Sequence, residues 1–97
     1  MPTYITLASF TDQGVRNAKD SIKRAEAFKQ MATKHGATVK ELMWTLGQYD
    51  IGVTLEAPDD DTVTALNLSV GGLGNVRTQT MRAFSAAEMA KVIGKMT

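Results

Sequence analysis

Two strand-like runs, Thr38 to Leu46 and Ile51 to Ala57, flank the short stretch Gly47-Gln48-Tyr49-Asp50, and they constrain the fold more than any other part of the chain. Residues two apart on a strand share a face of the sheet. Pairing Leu46 with Ile51 sets Trp44 opposite Val53 and Leu42 opposite Leu55, which makes one continuous apolar face. The other face carries Glu41, Met43, Thr45, Gly52, Thr54 and Glu56, a mixed set. Between the runs, Gly47 supplies a positive φ and Asp50 a carboxylate that caps the turn.

The remaining segments read as elements that pack on this hairpin. Thr3 to Phe10 is a strand with Ile5 and Leu7 on one side and Tyr4, Thr6, Ala8 and Phe10 on the other. Apolar area on both sides is the mark of a central strand covered twice. A helix is predicted from about Gln13 to Lys34, with Val15, Ala18, Ile22, Ala25, Phe28 and Ala32 as its stripe and His35-Gly36 as its stop. Ala57-Pro58-Asp59-Asp60-Asp61 opens a second helix whose apolar positions are Val63, Leu66, Val70 and Leu73. Asn75 to Phe84 is a fourth strand, and the pattern leaves open whether Val76, Thr78, Thr80 and Arg82 or Arg77, Gln79 and Met81 face inward. Ser85-Ala86-Ala87-Glu88 is a capping box for a short last helix.

The order β-α-β-β-α-β-α predicts an α+β, ferredoxin-like domain spanning residues 1–97, with an extra C-terminal helix. That plan puts both main helices on one sheet face. The opposite face, assigned to Tyr4, Thr6, Ala8, Phe10, Met43, Thr45 and Thr54, needs a cover, because exposed apolar area costs about 25 cal/mol per Å². The last helix is too short to provide it. A second copy of the chain is therefore the expected cover, giving a dimeric α/β barrel.

Composition narrows the chemistry. With no cysteine there is no disulfide, thiolate metal site or cysteine nucleophile, and one histidine argues against a metal centre. No metal or cofactor is expected. The net charge of +1 implies no acidic partner. Ile51-Gly52-Val53-Thr54-Leu55 lacks the stacking aromatics of an RNA-recognition strand, and no apolar run nears the roughly 18 residues of a membrane span. Neither nucleic acid nor membrane is an expected partner. Met1-Pro2-Thr3-Tyr4 has no signal-peptide core, so a cytoplasmic location is expected.

Several of these pieces together resemble the GYD-domain family. They are Gly47-x-Tyr49-Asp50, Ala57-Pro58-Asp59-Asp60, Gly74-Asn75-Val76-Arg77-Thr78-x-Thr80-x-Arg82-Ala83-Phe84, and Tyr4 with Thr11-x-x-Gly14. The resemblance covers nearly the whole chain. It implies a small, mainly bacterial protein, similar in fold to the dimeric α/β-barrel group, which includes cofactor-independent monooxygenases and stress-response proteins. It leaves the chemistry open.

Candidate ligand-binding residues fall in two groups. Tyr49 and Asp50 offer a phenol and a carboxylate at a strand mouth, although turn chemistry is the favoured role for Asp50. Thr6, Thr54, Thr80 and Arg82 come together if the Arg82 set faces a barrel interior, where the guanidinium takes either Glu41 or Glu56 in a structural ion pair, ranked first, or a bound anion. Trp44 reads as core, Asp59-Asp60-Asp61 as a helix cap and not a calcium loop, and Gly71-Gly72-Leu73-Gly74 as a helix stop. A processed Pro2 amine acting as a base is a remote reading. No catalytic residue is assigned. Three classes stay open: a homo-oligomeric small-molecule binder, ranked first; a cofactor-independent monooxygenase-like or isomerase-like enzyme; and a structural or regulatory module. A cavity of at least about 300 Å³ lined by Thr6, Thr54, Thr80 or Arg82 would favour the first two.

Overall fold

The computed structural model describes residues 1–97. Strand β1 (Thr3–Phe10) pairs antiparallel with β3 (Ile51–Glu56) on one side and β4 (Val76–Ala83) on the other. With β2 (Thr38–Trp44) on the outer side of β3, the sheet order is β2-β3-β1-β4. The helices are α1 (Asp12–Arg16), α2 (Ser21–Lys34), α3 (Asp60–Gly72) and α4 (Ala86–Ile93). This is the expected ferredoxin-like α+β plan with an added C-terminal helix.

Register decides the two faces. Tyr4 lies opposite Leu55 and Arg82, and Thr6 opposite Val53 and Thr80. Tyr4, Val53 and Leu55 form one buried cluster with Ala32 of α2 and Val63 and Leu66 of α3. Leu55 and Leu66 are wholly buried, each worth about 1.5–3 kcal/mol of transfer free energy. The expectation for β1 is thereby reversed. Tyr4, Thr6, Ala8 and Phe10 lie under the helices, and Ile5 and Leu7 lie on the open face with Met43, Thr54 and Met81. Both sides of β1 are apolar, so only its pairing with the hairpin distinguishes them.

The hairpin keeps its expected alternation but not its register. Trp44, not Leu46, pairs with Ile51, and Leu42 pairs with Val53. An irregularity between Val39 and Glu41 adds a residue to β2, and Leu46 lies beyond the strand, 103% exposed. The loop is held by Thr45, whose amide donates to the Asp50 carbonyl at 2.8 Å and whose hydroxyl donates to that of Tyr49 at 2.6 Å. Gly47 takes φ +121 at its tip. Trp44 is half exposed at the sheet edge and donates to Ser21 Oγ at 2.8 Å, so it is not core.

The predicted long first helix is broken. A short α1 ends at Asn17, a 3₁₀ turn covers Ala18–Asp20, and α2 starts at Ser21. Val15 and Ile22 consequently leave the buried stripe and are exposed. The break follows from how α1 is clamped. Thr11 donates its amide to the Asn75 carbonyl at 3.1 Å and its hydroxyl to that of Gly74 at 2.6 Å, while accepting from the Gly14 amide at 3.1 Å. Gly14 is pressed so close to Asn75 that a Cβ would overlap the Asn75 carbonyl oxygen and meet Phe10 Cδ1 at 3.3 Å. Helix α2 must turn away from this clasp to lie on the sheet.

The other caps follow the sequence. Asp59 accepts from the Thr62 amide at 2.8 Å, and Ser85 and Glu88 form the capping box. Helix α4 stands away from the body, with Met89, Val92, Ile93 and Met96 exposed. The radius of gyration is 14.5 Å, against about 12.5 Å for a compact chain of this length. No helix is long and apolar enough to cross a membrane.

The clasp predicts that Gly14→Ala destabilises the domain by about 3 kcal/mol, the upper range for overpacking, because backbone rather than a movable side chain is in the way. Urea unfolding monitored by circular dichroism reads this as a lowered midpoint with unchanged slope.

Candidate functional site

The sheet and the helices α2 and α3 border a partly open cavity of about 130 Å³. Its walls are chiefly apolar and include Phe10, Phe28, Val53 and Val70. Polar groups enter from two sides. Thr6, 3% exposed, shares a hydrogen bond with Thr80 across the β1–β4 pair at 2.8 Å, and Asn67 of α3 donates to Thr80 Oγ1 at 2.5 Å. On the other side stands Arg24 of α2, whose Nη1 donates to the Asn17 carbonyl at 2.9 Å.

A second, more open groove of about 530 Å³ runs outside, between α3 and β4, lined by Thr64, Leu68, Arg77 and Thr80. Asn67, Val76 and Thr78 border both spaces, so the Asn67–Thr80 hydrogen bond lies in their common wall. Of the candidate residues, Thr6 lines the inner space and Thr80 the outer one. The inner space is smaller than a drug-sized pocket of about 300 Å³.

The structure brings Thr6 and Thr80 together and separates them from Thr54. Thr54 pairs with Ile5 and Glu41 and lies on the open face. Arg82 does share the helix-side face, yet it sits at the end of the sheet. Its Nη2 meets Glu88 at 3.3 Å, its Nη1 donates to the Thr3 carbonyl at 3.2 Å, and its guanidinium lies 4.6 Å from the Phe84 ring and 5.8 Å from that of Tyr4. The expected partners Glu41 and Glu56 are on the opposite face, and Glu56 pairs with Lys40 at 3.4 Å. The ion-pair partner is local because α4 begins just past β4. Bonds from the Ser85 amide and from Arg82 hold the Glu88 carboxyl below its usual range.

Tyr49 and Asp50 secure the hairpin to β1. The Asp50 carboxylate accepts from the Phe10 amide at 2.8 Å, and the Asp50 amide donates to the Ala8 carbonyl at 2.8 Å. The Tyr49 hydroxyl reaches past β1 to Gln79 of β4, donating to Oε1 at 2.8 Å. These contacts join the β2–β3 loop to β1 and β4 and place neither group at the inner cavity.

Arg24 is the site residue that the sequence reading passed over. Nothing in its spacing separates it from Lys23 or Lys29 on the same helix. Pro2 is fixed by its carbonyl, which accepts from Ala57 at 3.1 Å. No group of three or more His, Cys, Asp or Glu side chains is placed to hold a metal ion.

Comparison with known proteins adds two findings. The family model described as GYD domain matches residues 4–93. A protein of Thermus thermophilus named glutamine synthetase and cystathionine beta-lyase binding protein is 31% identical over 90 residues, covering 92% of this chain and 95% of its own length.

Tyr4 closes the core end of the sheet and supplies a test of this geometry. Burial, reinforced by its hydrogen bond to Asp60 at 2.5 Å, pushes its phenol up to about 12 from 10.0. The unfolded chain therefore releases this proton first, and rising pH through that window favours unfolding. Wild-type stability should fall by about 2 kcal/mol between pH 10 and pH 12 through this group. In Tyr4→Phe that component should vanish, with about 1 kcal/mol lost at pH 9 from the missing hydrogen bond. Urea titrations of both proteins across the window measure the difference.

Proposed function

The chain belongs to the GYD-domain family, and on that premise we propose that it is a self-associating module that binds other proteins, its open sheet face covered by a second copy of the chain. The observation that carries the reading is the composition of that face. Ile5, Met43 and Met81 are exposed there beside Leu7 and Thr54, while Glu41, Glu56 and Arg77 stand around them. An apolar centre with a charged rim is the anatomy of a protein interface. Four strands of up to eight residues cover about 500 Å² in projection. A stable dimer buries about 800 Å² per partner, and the exposed apolar side of α4 supplies further area beyond the sheet.

The protein-binding part of the reading is supported by the Thermus relative, whose name describes binding to two enzymes of amino-acid metabolism. By analogy the paired domain docks on a metabolic enzyme of this kind in the cytoplasm. The inner cavity favours a second activity of the same domain, binding of a small molecule, because Thr6, Asn67 and Asn75 border an otherwise largely apolar space. That site includes Thr6 and borders the Thr80 hydroxyl. On this reading Tyr49, Asp50 and Arg82 hold the fold through their bonds to Gln79, Phe10 and Glu88, and Thr54 belongs to the face that the second copy covers.

Light scattering after size exclusion at micromolar concentration should give twice the chain mass of 10.5 kDa. Ile5→Lys and Met81→Lys should each yield a folded monomer. A wild-type monomer would remove the assembly. Co-elution with purified glutamine synthetase or cystathionine beta-lyase from the same organism tests enzyme docking, and failure with both removes that part alone.

A further inference from the structure

The two edges of the sheet differ. Along β2 the ladder is interrupted between Val39 and Glu41, and Lys40 at the interruption pairs with Glu56 at 3.4 Å. An irregular, charged edge resists further pairing. Strand β4 has neither proline nor interruption, and its eight residues run in one register against β1. That register fixes which backbone groups are free. The Thr11 amide donates to the Asn75 carbonyl as the next step of the same ladder, and bonding alternates along an antiparallel pair. Arg77, Gln79 and Met81 therefore turn their backbone groups to β1, and Val76, Thr78 and Thr80 turn theirs outwards. No other part of the chain bonds those outward groups.

A groove runs beside this edge. The open space of about 530 Å³ between α3 and β4 passes Val76, Thr78 and Thr80, and its α3 wall includes Gly71 and Gly72, which carry no side chain. Directly opposed residues of paired strands share a face. A strand laid on β4 would thus send every second side chain into the groove. The walls offer the hydroxyls of Thr64, Thr78 and Thr80 and the amide of Asn67, which suit polar side chains.

Charge selects the strand that fits. β4 carries Arg77 and Arg82 and no carboxylate, and α3 has no charged residue after Asp61. Arg82 is paired with Glu88, whereas Arg77 is exposed and has no carboxylate within 4.0 Å. The net charge of +1 conceals this local excess. Two copies joined by their β4 edges would bring four arginines to one ladder, where like charges repel. We propose that the β4 edge takes an extended, acidic segment of a partner protein as a further strand, bonded at Val76, Thr78 and Thr80 and selected by Arg77. The proposal rests on the protein-binding reading and names its contact. Main-chain bonds supply affinity in this mode, and side-chain sites supply specificity.

The probes are two synthetic octapeptides, one alternating threonine with glutamate and one alternating threonine with lysine. Each is titrated into ¹⁵N-labelled full-length protein at low salt, with amide shifts and hydrogen exchange as readouts. In the free protein the Thr78 and Thr80 amides should exchange fast, and those of Gln79 and Met81 slowly. The glutamate peptide should shift Val76, Thr78 and Thr80, slow their exchange, and bind about tenfold more tightly than the lysine peptide. Thr78→Pro removes one outward donor and leaves the β1 ladder intact, a change that edge strands tolerate. It should weaken the glutamate peptide about tenfold. Arg77→Glu keeps the donors and should reverse the preference. Slow exchange of Thr78 and Thr80 without peptide would show a second copy on the edge and overturn the proposal. So would glutamate-peptide shifts that miss β4, equal binding of the two peptides, or an unchanged preference in folded Arg77→Glu. Co-elution with either enzyme that survives in folded Thr78→Pro would overturn the edge as the contact and leave protein binding in place.

Discussion

The double pairing of β1 is the constraint on which the rest of the structure depends. All eight of its residues pair with β4, and the six from Thr3 to Ala8 pair with β3 as well. A strand with period two has only two ways to face, and a neighbour on each side commits all three together. Once Tyr4 lies opposite Leu55 and Arg82, Thr6 must join Val53 and Thr80 under the helices, and Ile5 must join Thr54 and Met81 outside. Asp50 extends this lock beyond β3, donating to Ala8 and accepting from Phe10. The inner chamber and the open face are both consequences of that one choice.

The parts of the fold legible in the sequence are those governed by local physics. The Ser85–Glu88 capping box, the Asp59 N-cap, the Gly36 helix stop at φ +78 and the alternation of Leu42, Val53 and Leu55 need only near neighbours. What was illegible depended on distant partners. Tyr4 and Phe10 on one side of β1, against Ile5 and Leu7 on the other, offer equal apolar area to either layer. The loop takes Thr45 and Leu46 out of the strand, which moves the hairpin register by two and preserves its alternation, and the added residue near Lys40 shifts the far end by one more. The long helical stripe ran through Asn17 because helical spacing carries no sign of Gly14 meeting Asn75.

The candidate site divides in the same way. Thr6 and Thr80 are cross-strand neighbours, so knowing the face of β4 would have joined them. Thr54 is expected on the same uncovered face as Thr6, and its pairing with Ile5 puts the two on opposite sides of the sheet. Arg24 had no local signature. A charged residue one turn into a basic helix looks like solvated surface until the approach of the sheet closes over its Nη2. Several signature residues of the family have structural work: Thr11 and Gly14 meet Gly74 and Asn75, while Tyr49 and Asp50 bind the hairpin to β4 and β1. In this chain those residues account for the shared fold, and Arg24 lies outside all of those motifs.

The open face and the inner chamber are separated by one layer of backbone. On β1, Ile5 points out beside Thr6 pointing in, and on β4, Met81 points out beside Thr80 pointing in. Strand β4 is an edge strand, bonded to β1 alone as β2 is to β3. Its inward contacts near the chamber include the hydrogen bonds of Thr80 to Thr6 and Asn67. A displacement of β4 normal to the sheet would stretch those bonds and move Met81 with them, because successive side chains share one rigid backbone. The open face and the chamber wall are therefore two sides of one backbone at β4, and the hydroxyl of Thr80 is the point at which that strand is tied to Thr6 and to Asn67 of α3.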